Sequence, residues 1–192
     1  MPGSPPPARL AAFRPGDLTA EQRRLYDRLL DSPRASAPRP FPLADEEGRL
    51  RGPFNAMLLN PDLGHALQEL GGAVRYRTGL TSRQREIAIL AVAGHERSDY
   101  EWKVHSHAAR LEGLTEAQLA GLRGGGDCPF DDPAERAVLE AARELLRTGD
   151  LTDDRFAASI GALGQTRLYE VITLVGYYRL LAAQLRVLRV DG

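Results

Sequence analysis

Residues 80–105 read Leu80-Thr-Ser-Arg-Gln-Arg-Glu-Ile-Ala-Ile-Leu90, then Ala91-Val-Ala-Gly-His-Glu-Arg97, then Ser98-Asp-Tyr-Glu-Trp-Lys-Val-His105, and they carry the strongest helix signals of the chain. Thr81 and Gln84 have the spacing of a capping box, and apolar residues recur at helical spacing from there to Gly94. Ser98 and Glu101 have the same spacing and predict the start of a second helix. The short connection between the two helices predicts that they pack antiparallel.

Similar start and stop signals predict further helices on both sides of this hairpin. They lie after Thr19, within 52–61, from Asp62 to Gly71-Gly72, after Thr115, from Asp132-Pro133 to Gly149, from Thr152 to about Gly164, and from about Gln165 to Val190. No segment alternates apolar and polar residues with period two, as a half-buried strand would. The sequence therefore predicts an all-α bundle of about eight helices.

Prolines set the predicted boundaries of the folded domain. Positions 2, 5, 6, 7 and 15 are proline, and because proline fixes φ and lacks an N–H donor, we expect residues 1–16 to be a flexible N-terminus. Residues 17–192 are then one domain. Five further prolines in residues 33–53 predict a loop without long regular structure.

Composition excludes several classes of function. The 25 Lys and Arg balance 26 Asp and Glu, and no basic block stands out, so we expect neither a nucleic-acid partner nor a membrane partner. Cys128 is the only cysteine, which excludes an internal disulfide and a CxxC redox pair. The first residues have no signal-peptide pattern, which predicts a cytoplasmic protein. The apolar stretch 171–183, interrupted by Arg179, predicts a buried helix and not a membrane span.

Three polar side chains on the hairpin are candidates for acid/base chemistry. Glu86 shares a helical stripe with the apolar residues Ile89 and Leu90, so its carboxylate points toward the buried face. Glu101 and His105 are one turn apart on the second helix. Antiparallel packing would place Glu86 opposite His105, where a carboxylate raises the pKa of the imidazole and burial moves both pKa values toward neutrality.

Simpler roles for the same residues stay open. Glu101 has the N3 position of a capping box and can bind the amide of Ser98. His105 can be a solvated i,i+4 partner of Glu101. Glu86 can pair with a nearby arginine. The arginine candidates are Arg83, Arg85 and Arg110.

The other histidines and aromatic residues predict no metal site. His105 and His107 diverge on a helix because they are two residues apart, and His65 and His95 lack ligand spacing. Core packing is the expected role of Phe54 and of the Tyr177-Tyr178 pair.

The hairpin sequence resembles the central motif of the carboxymuconolactone decarboxylase family, which includes the alkyl hydroperoxidase D group. The matching residues are Leu80 to Leu90, Tyr100-Glu-Trp102, His105, Ala108-Ala109 and Gly113-Leu114, with Gly52 to Leu58 and Gly176-Tyr-Tyr178 resembling a longer subgroup. The resemblance implies an all-α fold, a site on the helical hairpin, and assembly as a homotrimer or homohexamer.

The chain departs from the redox-active members of that family at two positions. Those members resemble a pattern of Glu, two cysteines flanking two residues, and His, and here these positions are Glu86, Ser98, Glu101 and His105. A hydroxyl and a carboxylate do not form the sulfenic acid and disulfide of a thiol peroxidase. We therefore expect that mechanism to be absent, and Cys128 to be a poor substitute.

The decarboxylase branch resembles Tyr-Glu-Trp-x-x-His at this place and implies chemistry on a small carboxylated lactone without a metal or organic cofactor. Under this hypothesis His105 is the general acid/base, Glu86 its orienting partner or a second proton carrier, and Glu101 a pocket wall that shapes protonation. Arg85 or another arginine is expected to hold a substrate carboxylate. Substrate contacts are expected from Ser98, Tyr100, Trp102 and Phe54. The alternatives are a hydroperoxidase-like oxidoreductase and a non-catalytic scaffold.

Overall fold

The computed structural model describes residues 8–190, which form an all-α fold. A single 3-10 turn at Pro15–Asp17 precedes the α-helices. Their bounds are α1 Ala20–Leu30, α2 Pro33–Ser36, α3 Pro53–Met57, α4 Pro61–Tyr76, α5 Ser82–His95, α6 Asp99–Leu111, α7 Glu116–Gly124, α8 Pro133–Thr148 and α9 Asp153–Leu188. The only extended pairing among these residues is an isolated bridge between Ala44 and Leu50. The predicted fold class is confirmed.

Local sequence signals set most helix ends. Thr19, Thr81 and Thr115 each form a complete capping box with the glutamine three residues later, and the side chain of Asp132 caps α8 ahead of Pro133. These contacts satisfy backbone N–H groups that have no partner within the helix. The four helix starts predicted from these residues are confirmed.

Glycines end helices less consistently. Helix α4 continues through Gly71-Gly72 to Tyr76, so the predicted end at these glycines is wrong. A glycine with helical φ destabilises a helix by only about 1 kcal/mol, and tertiary packing offsets this cost. Gly164 does interrupt α9, because its φ of 76° and ψ of 164° are not helical. The predicted break near Gly164 is therefore confirmed.

The chain divides into two compact units, where the sequence predicted one domain. The first unit comprises residues 1–69 and 183–192, of which 8–69 and 183–190 are described. Within it, Arg9 N and Leu10 N both donate to the carbonyl of Leu188 at 3.1 Å, and Phe13 N donates to Oδ1 of Asn55 at 2.9 Å. The described part of the predicted flexible N-terminus is therefore hydrogen-bonded. Residues 1–7 of that segment lie outside the described residues.

The second unit comprises residues 70–182 and is built around α5. All residues from Ile87 to Ala93 are buried, since α6, α7 and α8 pack against α5 from different sides. A helix surrounded in this way has an apolar surface all round, and its polar residues need partners inside the protein. Glu86 is one of these residues.

Helix α9 is long and apolar enough to cross a membrane by length and composition alone, and it is the one such helix within residues 8–190. Core helices meet the same criterion. The side chains of Leu168, Val171 and Leu174 are buried within the protein. The expectation of a buried helix in the 171–183 region agrees with this burial.

Candidate active site

The connection between α5 and α6 is a tight helix-ending turn. Arg97 N donates to the carbonyl of Gly94 at 3.3 Å, and Ser98 N donates to the carbonyl of Ala93 at 2.9 Å. This pair of bonds is a Schellman motif, in which the residue after the C-cap takes a left-handed conformation. Arg97 has that conformation, with φ at 52°. The turn reverses the chain, so α6 returns along α5.

The reversal brings together two residues that are 19 positions apart. Nδ1 of His105 on α6 donates to Oε2 of Glu86 on α5 at 2.6 Å. Both side chains are almost fully buried, with exposed fractions of 3% and 6%. The predicted placement of Glu86 opposite His105 is confirmed. A bond of this length to a carboxylate is a strong, charge-assisted hydrogen bond that fixes the orientation of the imidazole ring.

Glu101 contacts the other ring nitrogen and does not cap the helix. Its Oε2 lies 3.4 Å from Nε2 of His105, and the side chain is 5% exposed. The predicted capping role fails for a local reason, since the amide of Ser98 already donates to Ala93 in the Schellman motif. Ser98 in turn makes no side-chain capping bond. The second alternative, a solvated pair of Glu101 and His105, is also wrong because both residues are buried.

Two further residues of the second unit complete the cluster. Nη1 of Arg75 on α4 lies 3.5 Å from Nδ1 and 3.4 Å from Nε2 of His105, and its Nη2 lies 3.8 Å from Oε1 of Glu86. The same guanidinium donates to the hydroxyl of Tyr178 on α9 at 3.3 Å. The Tyr178 ring meets the His105 ring edge-on, with centroids 5.2 Å apart.

The sequence patterns gave no signal for Arg75 and predicted core packing for Tyr178. Tyr178 is indeed buried, but its hydroxyl belongs to the polar cluster. Neither residue has a local motif with the hairpin, since Arg75 is on the helix before it and Tyr178 is on α9. The only sequence signal for Tyr178 is its hydroxyl, because a buried tyrosine hydroxyl usually has a hydrogen-bond partner.

The charges of the cluster shift the pKa values of its central pair in opposite directions. Burial acts to raise the pKa of Glu86, but the positive charge of His105, the hydrogen bond from His105 and the charge of Arg75 outweigh it and lower that pKa. Burial acts to lower the pKa of His105, but the negative charge of Glu86 and the hydrogen bonds to both carboxylates outweigh it and raise that pKa. Burial therefore acts on the pKa of Glu86 in the expected direction, but the net shift is downward, away from neutrality.

The arrangement defines a buried proton-transfer group. Arginine is always charged, so a protonated His105 and Arg75 balance the two carboxylates. Glu86 holds one nitrogen of the imidazole, and the other nitrogen faces Glu101, whose Oε1 is buried without a hydrogen-bond partner among the described residues. A carboxyl and an imidazole in contact in this way can act as a general acid or base.

The predicted substrate-binding residues lie at several places. Ser98 and Trp102 line one pocket of about 340 Å³ in the second unit, and Tyr100 is half-buried on α6. Arg85 donates to the carbonyl of Leu80 at 2.6 Å and to Oγ of Ser82 at 2.9 Å, so its guanidinium is occupied locally. Phe54 is buried in the first unit. The substrate contacts of these residues remain predictions.

Cys128 is in an environment that disfavours a reactive thiol. It is buried, its Sγ donates to the carbonyl of Gln118 at 3.2 Å, and burial raises its pKa. The thiolate is the reactive form, so these features oppose nucleophilic chemistry at this residue. Within residues 8–190, no group of three His, Cys, Asp or Glu side chains is arranged to hold a metal ion.

Comparison with known proteins agrees with the all-α fold. Residues 61–144, which include Arg75, Glu86, Glu101 and His105, match the model of the carboxymuconolactone decarboxylase family. This match places that part of the chain in the carboxymuconolactone decarboxylase family. No curated protein matches the sequence.

Solved structures share the alkyl hydroperoxidase D-like fold at low sequence identity. A peroxidase-related protein from Ralstonia eutropha JMP134, described as an alkylhydroperoxidase AhpD core, is 15% identical with a TM-score of 0.73, covering 98% of this chain and 94% of its own. A second peroxidase-related protein, from Silicibacter sp. TM1040, is 13% identical with a TM-score of 0.73. The match covers 99% of this chain and 94% of that protein. The debrominase Bmp8, as a cysteine-to-alanine variant in complex with 2,3,4-tribromopyrrole, is 13% identical with a TM-score of 0.70. The match covers 94% of this chain and 89% of the debrominase.

Proposed function

We propose that this protein is an acid/base enzyme that decarboxylates or isomerises a small carboxylated lactone. The observation that carries the proposal is the 2.6 Å bond between Glu86 and His105, with Glu101 on the second ring nitrogen. Membership of residues 61–144 in the carboxymuconolactone decarboxylase family supports the reaction type.

Position along α6 divides the roles within the cluster, because His105 and Glu101 are equally buried, with exposed fractions of 3% and 4%. His105 acts as a proton store whose charge Glu86 and Arg75 control. Glu101 lies between His105 and the N-terminus of α6, where Ser98 lines a pocket. The Glu101–His105 pair is then the general acid/base, with Glu101 as the group that reaches the substrate. Glu86, Arg75 and Tyr178 are positioning residues.

The proposed chemistry moves one proton per turnover. In decarboxylation the bond between the substrate carbon and its carboxylate breaks, CO2 leaves, and the electron pair stays on carbon, conjugated with the lactone carbonyl. The Glu101–His105 pair delivers a proton to the conjugated carbon, and solvent returns a proton to the pair. Isomerisation uses the same pair to take a proton from one carbon and deliver it to another.

A thiol-peroxidase mechanism is less well supported. The family positions of the two redox cysteines hold Ser98 and Glu101, and the buried Cys128 has a raised pKa. The activities in the names of the structural neighbours belong to those proteins. Because their sequence identity to this chain is low, they support a shared fold only.

The test is turnover of small carboxylated lactones in D2O, followed by mass spectrometry of the product. We expect one deuteron in a decarboxylated product, and a rate loss of about 10²–10⁴-fold in Glu101→Gln and in His105→Asn. The matched control is Glu135→Gln, because Glu135 is a buried carboxylate outside the cluster, paired with Arg83 at 2.6 Å. Turnover that survives Glu101→Gln, or a decarboxylated product without deuterium, would contradict the proposal.

We propose in addition that the chain forms a homotrimer or homohexamer. Tyr169, Ile172, Gly176 and Leu180 follow one another at helical spacing along α9 and are exposed, which gives a stripe suited to a second copy. Light scattering coupled to gel filtration should give a mass of three or six chains, and Ile172→Glu should lower it. A monomeric mass at high protein concentration would contradict this assembly.

A further inference from the structure

A larger pocket of the second unit is lined mainly by charged side chains. Its volume is about 640 Å³, which is within the usual range for small-molecule sites, about 300–1,000 Å³. No residue of the acid/base cluster is among the described residues that line it. We call it the arginine pocket after five of its lining residues, which are Arg97, Arg123, Arg143, Arg147 and Arg155.

Three helices contribute their last turns to the arginine pocket. Gly94, Leu122 and Leu146 lie in the last turns of α5, α7 and α8. Leu122 and Leu146 are buried and form an apolar part of the lining. A Cβ added at Gly94 would lie 2.6 Å from the carbonyl oxygen of Leu122 on α7, so the backbones of α5 and α7 are in direct contact here. This wall is therefore fixed by backbone packing.

Arg143 fixes a second part of the wall. Its Nη2 donates to the carbonyl of Gly121 at 3.1 Å and to the carbonyl of Gly126 at 2.8 Å. These bonds hold α8 against the end of α7 and keep the half-buried guanidinium in one orientation. Because both acceptors are neutral backbone carbonyls, the positive charge of Arg143 stays uncompensated.

Two of the five arginines are paired with carboxylates. Arg155 on α9 pairs with Glu140 of α8, and its Nε lies 3.3 Å from Oε2 of Glu144. Nη2 of Arg123 lies 3.0 Å from Oδ1 of Asp99. These three carboxylates are therefore already used by two arginines.

The other three arginines leave the pocket positively charged. Arg97, Arg143 and Arg147 have no carboxylate partner among residues 8–190. Five arginines and three carboxylates give the pocket and its ion pairs a net charge of +2, with His95 neutral.

Helix ends give some of these arginines a simpler role, because each helix C-terminus carries about half a negative charge. Arg123 and Arg147 lie in the last turns of α7 and α8 and fit this role. The three helix ends at the pocket amount to about 1.5 negative charges, which is less than the net charge of its side chains. The arginine pocket therefore stays positive after the helix ends are counted, and it attracts an anion.

We propose that the arginine pocket binds the phosphate group of a small phosphate monoester. At pH 7 such a group carries a charge of about −1.5 to −2 and offers three acceptor oxygens, whereas a carboxylate carries one charge on two oxygens. The three arginines without a carboxylate partner each present a planar fork of donors, a geometry that suits phosphate oxygens.

The rest of the pocket suits an organic group on the phosphate. Leu122 and Leu146 give the ligand an apolar surface beside the charged one, which a free phosphate ion would leave unused. This site does not rest on the proposed function, because no residue of the acid/base cluster lines it within the described part of the chain.

Isothermal titration calorimetry of the full-length protein with phenyl phosphate tests the proposal, at constant ionic strength set with NaCl. We expect saturable binding with one site per chain. Phenyl sulfate has nearly the same shape but a single charge, so it should bind roughly tenfold more weakly or worse. Sodium phosphate lacks the organic group and should also bind more weakly than phenyl phosphate.

Two variants and a matched control separate the pocket from a general loss of charge. Arg147→Gln should weaken phenyl phosphate binding roughly tenfold or more, because it removes a charge-assisted donor. Arg97→Asn should do the same, and asparagine tolerates the left-handed conformation of this position, with φ at 52°. Arg136→Gln should leave binding unchanged, since Arg136 is an exposed arginine of the same helix as Arg147 and does not line the pocket.

Several results would overturn the phosphate-ester site. They are the absence of saturable binding, equal affinity for phenyl phosphate and phenyl sulfate, and sodium phosphate binding as tightly as phenyl phosphate. Equal affinity in wild type and Arg147→Gln would also overturn it, as would a loss in Arg136→Gln as large as that in Arg147→Gln. Glu101→Gln should bind phenyl phosphate with wild-type affinity, and retained lactone turnover in that variant overturns the proposed function alone.

Discussion

Arg75 and Tyr178 meet at 3.3 Å, with the guanidinium of Arg75 as donor to the tyrosine hydroxyl. The same guanidinium contacts both nitrogens of His105. A fixed positive charge beside a histidine opposes its protonation, while Glu86 favours it. Arg75 thus moderates the charge of the imidazole from a helix outside the hairpin.

Replacing Arg75 by methionine should raise the pKa of both members of the central pair. The Arg75 charge lowers the pKa of His105 and of Glu86, so its removal acts in the same direction on both. The measurement is an NMR titration of the His105 imidazole, with Arg136→Met as a control that removes an exposed arginine of α8. An unchanged or lower His105 pKa in Arg75→Met would show that this charge does not act on the ring.

The Glu86–His105 pair should give the protein a characteristic pH dependence of stability. Above pH 6.5, the ordinary pKa of histidine, folded His105 keeps a proton that the unfolded chain loses, so its contribution falls as pH rises through the folded pKa. Below pH 4.5, the ordinary pKa of glutamate, the contribution of Glu86 falls as pH falls through its lowered folded pKa. The pair therefore stabilises most between about pH 4.5 and pH 6.5.

Urea unfolding from pH 4 to pH 9 measures this dependence. In Glu86→Gln the principal cause of the raised His105 pKa is removed, so the loss of unfolding free energy above pH 6.5 should become smaller. A variant curve parallel to that of the wild type above pH 6.5 would mean that His105 does not titrate as part of this pair.

Removing the Ser98 hydroxyl should cost little stability, unlike removing a true cap. Thr81 accepts from Gln84 N in a complete capping box, and Thr81→Ala should lower the unfolding free energy by about 1 kcal/mol. The Ser98 oxygen has no partner among the described residues, so Ser98→Ala should change it by less than about 0.5 kcal/mol. Equal losses in the two variants, measured by urea unfolding, would indicate that Ser98 does cap α6.

Cys128 should react slowly with thiol reagents and should not support peroxide turnover. It is buried with a raised pKa, so a colorimetric disulfide reagent should label it much faster in denaturant than in buffer. Any slow consumption of hydrogen peroxide should be unaffected by Cys128→Ser. Peroxide turnover that depends on Cys128 would support a redox function in place of the proposed one.

The helices were predictable where local backbone chemistry decides them. Three capping boxes and the Asp132-Pro133 start use contacts within four residues, and the structure contains all of them. The Ser98 pattern misled because the preceding helix ends only three residues earlier and uses the Ser98 amide first. A sequence pattern does not show which of two overlapping helix-end motifs takes a shared donor.

The candidate site was predictable only where its residues lie on the same helical hairpin. Helical spacing within one hairpin was sufficient to pair Glu86 with His105. Arg75 and Tyr178 join the cluster through tertiary packing within the second unit, and no spacing rule relates residues on separate helices. Arg85, which is adjacent to Glu86 in sequence, instead binds the start of its own helix.

Gly94 has a consequence for the choice of ligand. Its missing side chain lets the backbone of α5 contact the carbonyl of Leu122 on α7, and Arg123, the next residue, lines the arginine pocket with Gly94. Two walls held by direct backbone contact do not separate when a side chain changes its rotamer. Discrimination between ligands should therefore depend on their cross-section, with slender phosphate esters accepted and branched ones of equal charge rejected.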